Sequence, residues 1–288
     1  MKIKTTSVLL HGLVTNLILS VMQIIVGIIG SSMAVVSDGV HTFSDLLTDI
    51  VAIVGGILSN KKADNKHPFG HGMYEYLTSL LIGFVIIFMG LFIIYNSISK
   101  EIVIPSIYVI IVTIITIVAK SILSSYILVN AKKYNSAILL ASGNESRADV
   151  ISSLLVLASV ILIQLSVYFE PLKYADIIAA IIVSLIIIRV GYHIVSSSIS
   201  GLLGERETDP VMIDKITKLV LASPLVSSIE SLILLKYGHD YKLVLEVYMD
   251  DTLILKEVHA ATNQLERSIH QKGHIKYVSI HVSPKSSV

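Results

Sequence analysis

Six long apolar stretches fill most of the first 200 positions, at about 7–29, 33–58, 76–98, 107–129, 138–165 and 174–199. A helix needs about 20 mostly apolar residues to cross a hydrocarbon core roughly 30 Å thick, so each stretch is long enough to be a membrane span. The first is long and lacks a small-residue cleavage site, which makes it a permanent span rather than a secretory signal. After Gly204 the pattern changes. Asp209-Pro210 is a helix start, with the acid as cap and proline in the first turn, and Met212, Ile213, Ile216, Leu219 and Val220 fit one helical face. Residues 229–237 and 241–249 predict two strands joined by Gly238-His239-Asp240. A second helix is predicted at 255–271 and a last strand at 277–283. The order is α-β-β-α-β. The chain therefore predicts a membrane all-α domain of six helices over 1–204 and a small α+β domain over 205–288. About 80 residues make a marginal lone core, so dimerisation is expected for the second part.

Charge sharpens this division. The first 200 residues hold 22 of the 43 charged residues and the last 88 hold the other 21. Charged residues make up 15% of the chain, against about a quarter in soluble proteins, and mean hydropathy is +0.79, which excludes an ordinary soluble enzyme. No cysteine is present, so disulfide scaffolds, thiolate zinc sites and cysteine nucleophiles are excluded. A net charge of +1 and a pI near 7.9 give no reason to expect a nucleic-acid partner. With a cytoplasmic N-terminus, the inner loops and termini collect Lys2, Lys4, Lys61, Lys62, Lys66, Lys132, Lys133 and Arg206. The outer side then holds only Lys100 and Lys173, each near an acid (Glu101, Glu170). That bias places both termini inside.

Ionisable residues within spans are costly and mark function. Span two carries Asp38, His41, Asp45 and Asp49, of which the last three recur every four residues on one helical face. Span five carries Glu145, Arg147 and Asp149, with Glu145 and Asp149 again four apart. Two helices each offering such a pair can enclose a tetrahedral or somewhat larger metal site. The plainer alternative is carboxylates facing water at a span end and a structural Glu145–Arg147 pair. Lys120 can snorkel, and neither it nor Arg189 has an obvious partner, so both are assigned structural roles. Between spans two and three, Asp64, His67 and His71 are spaced to bind a divalent ion, with Gly70 and Gly72 allowing a close turn. The alternative there is a basic, solvated turn.

Three segments together, SDGVHTFSD in span two, ADNKHPFGHGMYEYL before span three and ASGNESRADVISS in span five, resemble the cation diffusion facilitator family of metal-efflux transporters. The resemblance runs over essentially the whole chain, and HPFGHG is its most specific marker. It implies a homodimer of six-helix bundles with metallochaperone-like cytoplasmic domains, exporting divalent transition-metal ions in exchange for protons. Carried over by position, the transport site falls on His41, Asp45, Glu145 and Asp149, with Asp49 on the same face, and the loop site on Asp64, His67 and His71. Zinc transporters of the family commonly have histidine where this chain has Glu145. Three carboxylates and one imidazole favour manganese or ferrous iron relative to an imidazole-rich site. Tail histidines of metal-regulated relatives align approximately with Glu230 and Glu246 here, leaving Glu246, His259 and His281 as candidate tail ligands. His239, His270 and His274 are assigned to the surface. A lysine–acid pair seen in some relatives is not expected, since Met73 and Gly204 stand at or near its positions.

The implied activity is a proton-coupled antiporter for manganese, iron or zinc, with no prosthetic group, in a bacterial-type inner membrane. Its partners are a second copy of the chain, the bilayer, metal ions and protons. The alternatives are an acid-lined divalent-cation channel and an intramembrane metal-dependent hydrolase. The hydrolase lacks support, since the chain has no HExxH and no second catalytic group beside the ligands.

Overall fold

The structure, a computed structural model, describes residues 2–59, 61–99, 101–134, 137–238, 240–271 and 275–285. Its elements are α1 (Lys2–Ile29), α2 (Met33–Ser59), α3 (Tyr74–Ser99), α4 (Ile107–Tyr134), α5 (Ala137–Gln164), α6 (Ala175–Leu202), α7 (Pro210–Leu221), β1 (Ser228–Tyr237), β2 (Asp240–Asp250), α8 (Leu255–His270) and β3 (Ile275–Lys285). Among the described residues six helices are long and apolar enough to cross a membrane. They outrun several of the apolar windows because polar turns extend them. α4 continues to Tyr134, and Lys132 and Lys133 in its last turn complement the negative end of the helix dipole.

The chain forms two compact units, one of residues 1–50 and 81–194, the other of 51–80 and 195–288. In the first, Ala34 and Val35 of α2, Ile86 and Ile93 of α3, Val109 of α4, Val156 and Val160 of α5 and Val183 and Ile187 of α6 make a buried core. Side chains on the opposite faces stay uncovered. Phe84, Phe88, Phe92 and Tyr95 of α3 are all exposed, Phe88 by 68%. A continuous aromatic stripe of this kind suits a lipid or partner surface rather than water. With no hydrophobic drive between helices in lipid, close backbone approach supplies the packing. A Cβ on Gly90 would lie 2.6 Å from Ile188 Cγ1 and 3.1 Å from the Ser184 carbonyl oxygen, so α6 fills the space that a side chain on α3 would need.

A buried carboxylate starts α2. Asp176 of α6 accepts hydrogen bonds from Ser32 Oγ (2.5 Å), Met33 N (2.7 Å) and Ala34 N (3.3 Å). It thereby satisfies amide groups that the first helical turn leaves unpaired, and its charge complements the positive end of the dipole.

In the second unit the predicted α-β-β-α-β order is present as α7-β1-β2-α8-β3. Asp209 caps α7 by accepting from Val211 N, and Pro210 occupies the first helical position. The sheet order is β1-β2-β3, with β1 and β2 antiparallel and β2 and β3 parallel through the α8 crossover. Leu243, Leu245, Val247 and Met249 alternate along β2 and are buried against Ile216 and Val220 of α7 and Ala261, Leu265 and Ile269 of α8. The intervening residues, Glu246 among them, therefore point to the face that these helices leave open. β1 carries a bulge between Ile229 and Ser231 that takes Glu230 out of the pairing. Of the predicted hairpin turn, His239 lies outside the described residues, while Gly238 has a left-handed φ of 63°.

Candidate metal centre

The spacing of four on α2 and the insertion of α5 beside it bring three ligands together. His41, Asp45 and Asp149 each offer a nitrogen or oxygen within 4.8 Å of the other two. His41 Nδ1 is 4.0 Å from Asp45 Oδ1, and His41 Nε2 is 3.8 Å from Asp149 Oδ1. Both distances exceed a hydrogen bond. One ion takes only one ring nitrogen of His41, and with one atom from each residue the three lie within 4.8 Å of one another, a little wider than the roughly 4.2 Å that two ligands on one ion can span, so a small side-chain adjustment would close the set on a cation. Burial adds to this, because the Asp149 side chain is 9% exposed and that of His41 12%. His41 Nδ1 and Asp45 Oδ2 are buried with no hydrogen-bond partner. Leaving such atoms unpaired is costly, and a bound divalent ion removes the cost.

Glu145 and Asp49 do not join this mutually close set, and both are exposed. Glu145 and Asp149 share a face of α5, but Glu145 lies one turn nearer the helix start and is exposed where Asp149 is buried, so the structure groups three of the four predicted ligands and leaves Glu145 outside that set. Lys120 differs from its sequence assignment as well. It does not snorkel: its side chain is fully buried and has partners on α2 and α5. The sequence signal was present, since a cation in a span has no low-cost place except beside an acid, but the choice of acid belongs to the packing.

In the second unit Asp64, His67 and His71 form another three-ligand set within 4.8 Å. His67 Nδ1 is 3.3 Å from Asp64 Oδ1, and His71 Nε2 is 3.5 Å from Asp64 Oδ2. Asp64 Oδ1 also accepts from His67 N (2.7 Å) and Lys66 N (2.9 Å), which folds the loop around its carboxylate. The His67 amide in particular holds the Asp64 carboxyl below the usual carboxylate range. His71 is buried, and its Nδ1 lies 3.2 Å from the Lys62 carbonyl, which orients the ring with Nε2 toward Asp64. Gly70 takes a φ of 75°. Gly72 lies so close to β1 that a Cβ there would come within 2.6 Å of the Tyr237 carbonyl oxygen.

The tail candidates separate. Glu246 and His281 are partners across β2 and β3, with His281 Nε2 3.8 Å from Glu246 Oε1, which also accepts from Ser283 Oγ (3.1 Å). His259 is not grouped with them; its Nε2 lies 3.0 Å from Asn263 Nδ2 on α8. Of the histidines assigned to the surface, His270 is exposed, and His239 and His274 lie outside the described residues.

Six helices long enough to span a membrane, a ligand cluster between two of them and a small α+β domain after them are the parts of a membrane cation transporter, not an enzyme. Residues 9–203 match the family model for the cation efflux transmembrane domain, and residues 208–285 match that for the cation efflux protein cytoplasmic domain. The chain belongs to the cation efflux family. It is 30% identical over 285 residues to the manganese efflux system protein MneP of Bacillus subtilis, covering 96% of this chain and 95% of that one. It is 30% identical over 278 residues to an uncharacterized transporter of Methanocaldococcus jannaschii, covering 95% and 96%. It is 26% identical over 272 residues to a cadmium, cobalt and zinc/H(+)-K(+) antiporter of Bacillus velezensis, covering 90% and 82%.

Proposed function

We propose that this protein exports divalent transition-metal ions from the cytoplasm in exchange for protons, with His41, Asp45 and Asp149 as the transport site. The observation that carries this is the cluster itself: three candidate ligands on two helices, Asp149 buried and His41 and Asp45 half-buried, within 4.8 Å of one another, with His41 Nδ1 and Asp45 Oδ2 lacking hydrogen-bond partners. Two carboxylates and one imidazole favour manganese or ferrous iron more than an imidazole-rich site does, and zinc remains compatible. The named substrates of the Bacillus relatives, manganese in one and cadmium, cobalt and zinc in the other, fall in the same class. The ligands must be deprotonated to hold the ion. Protons arriving from outside compete for the same atoms, release the ion and reset the carrier. One site thus serves both cargo and coupling ion, and exposure alternates between the two sides of the membrane.

The loop set Asp64, His67 and His71 is the cytoplasmic ion site in this scheme. Residues 1–204 carry transport, while 205–288 dimerise and sense metal through Glu246 and His281. The lysine bias supports cytoplasmic termini in an inner membrane. Metal uptake into inside-out proteoliposomes, across manganese, iron, cobalt, zinc and cadmium with and without a proton gradient, tests the proposal. Uptake against a metal gradient that collapses with the proton gradient supports antiport. Proton-independent, electrically conductive flux supports the acid-lined channel instead.

A further inference from the structure

Lys120 is one of the largest fully buried side chains in the molecule, at 0% exposure. Its Nζ donates to Thr42 Oγ1 (2.8 Å) on α2 and to Ser153 Oγ (3.2 Å) on α5, and lies 3.9 Å from Asp38 Oδ2. Asp38 is also at 0% exposure, and the same Oδ2 accepts from Ser153 Oγ (2.7 Å) and from Gln23 Nε2 of α1 (2.5 Å). One ammonium and one carboxylate thus join α1, α2, α4 and α5. Asp38 precedes His41 by three residues, Thr42 follows it by one, and Ser153 follows Asp149 by four. The network therefore borders the ligand cluster on both ligand helices.

Asp38 is a potential further oxygen ligand. Residues three apart on a helix are neighbours on one face, and Asp38 Oδ1 is buried with no hydrogen-bond partner. A buried carboxylate without a cation is strongly disfavoured, so in the absence of Lys120 the Asp38 charge would act on the transported ion, whose proposed ligands begin three residues on at His41. A carrier also has to let its cargo go, and each added carboxylate deepens the well it must leave.

We propose that Lys120 is a specificity- and affinity-determining residue. By neutralising Asp38 it keeps that carboxylate out of the coordinating shell and holds the transport site weak enough to release its ion. This rests on His41, Asp45 and Asp149 forming that site.

The test uses the full-length protein in proteoliposomes, with manganese as the probe. Lys120→Met is expected to lower the KM for manganese by about threefold or more while also lowering the maximal rate, because an added unit of negative charge at low dielectric strengthens cation binding. Adding Asp38→Asn to it is expected to restore the KM to within about twofold of wild type. A purely structural network predicts lost rate with an unchanged or raised KM, and no restoration by Asp38→Asn. Lys120→Gln loses the charge yet can still hydrogen-bond Thr42 and Ser153, and it serves for the same comparison if Lys120→Met fails to insert. An unchanged or raised KM in the charge-removing variant, or a double variant with a KM as low as the single, overturns the proposal. Asp149→Asn separates the two levels. Transport that survives it overturns the site assignment, whereas its loss beside an unchanged KM at position 120 overturns the Lys120 role alone.

Discussion

At the scale of single residues, position along the helix decides which acids gather into the cluster. Asp45 and Asp149 face each other across α2 and α5, whereas Glu145, one turn before Asp149, is exposed. Asp45→Asn and Asp149→Asn should each reduce metal flux by a factor of about 100 or more, since a buried charged ligand is worth several kcal/mol. Flux measured against the amount of inserted protein checks this, and near-normal transport in both would remove the proposed site. Glu145→His separates three ligands from four. If Glu145 coordinated the ion, exchanging oxygen for nitrogen would move the zinc-to-manganese rate ratio toward zinc. With Glu145 outside the cluster, the ratio should stay within about twofold of wild type, which initial rates for both ions will show.

At the scale of elements, the loop before α3 is held by side chains of β1, β2 and β3. The Tyr237 hydroxyl donates to the Gly70 carbonyl (3.4 Å), Phe69 meets the Tyr277 ring edge-on, and Lys242 Nζ sits 4.0 Å above the Phe69 ring. Gly72 is the tightest of these contacts, and what it meets is a carbonyl that cannot rotate aside. Gly72→Ala should cost about 1–3 kcal/mol as an overpacking substitution. It should also weaken divalent-ion binding by Asp64, His67 and His71, which thermal melting and metal titration of the full chain will read; an unchanged melting temperature would argue against the packing. The segment leading into α7 is tied to β1 as well. Glu207 N donates to Leu234 O (2.7 Å), and Lys236 Nζ lies 2.6 Å from Glu205 Oε1. The hydrogen bond with Lys236 pulls the Glu205 carboxyl below its usual range, and Glu205 in turn raises the Lys236 ammonium. A lowered acid contributes stability above its unfolded value and loses it as pH falls through the folded one. A raised base loses its contribution only as pH rises through its own folded value. The pair therefore acts between about pH 5 and pH 10. Both side chains are about one-third exposed, so screening keeps the gain below about 1 kcal/mol. Glu205→Gln should melt slightly below wild type at pH 7 and together with it near pH 3. A constant difference across that range would show that charge is not the cause.

At the scale of the whole molecule, dimerisation is expected through the cytoplasmic part. The core of that part lies on one sheet face, between β2 and the two helices, while Glu246 and His281 stand on the other. Purified full-length protein should sediment as a dimer, and divalent metal should tighten it. Replacing Glu246 and His281 together with alanine should abolish the metal response without unfolding the sheet. A metal response that persists in the double variant would place the sensing ligands elsewhere.

Much of this was legible in the chain itself, because it follows from local periodicity. Six apolar runs, the Asp-Pro helix start at 209–210, and the alternation along 241–249 each report on a few consecutive residues and the solvent they meet. The i, i+4 spacing of His41 and Asp45 likewise put two ligands on one face, and the Asp64-His67-His71 loop closes over so few residues that its spacing alone predicted a cluster. Tertiary packing decided what no local pattern encodes. Packing along α5 buries Asp149 and leaves Glu145 exposed one turn earlier, although both are acids on one face of one span. The meeting of α1, α2, α4 and α5 gives Lys120 its acid, and the pairing of β2 with β3 joins Glu246 to His281 while leaving His259 on α8. Each of these depends on which helix face or strand stands opposite another. That is set by how side chains far apart in sequence fill space together.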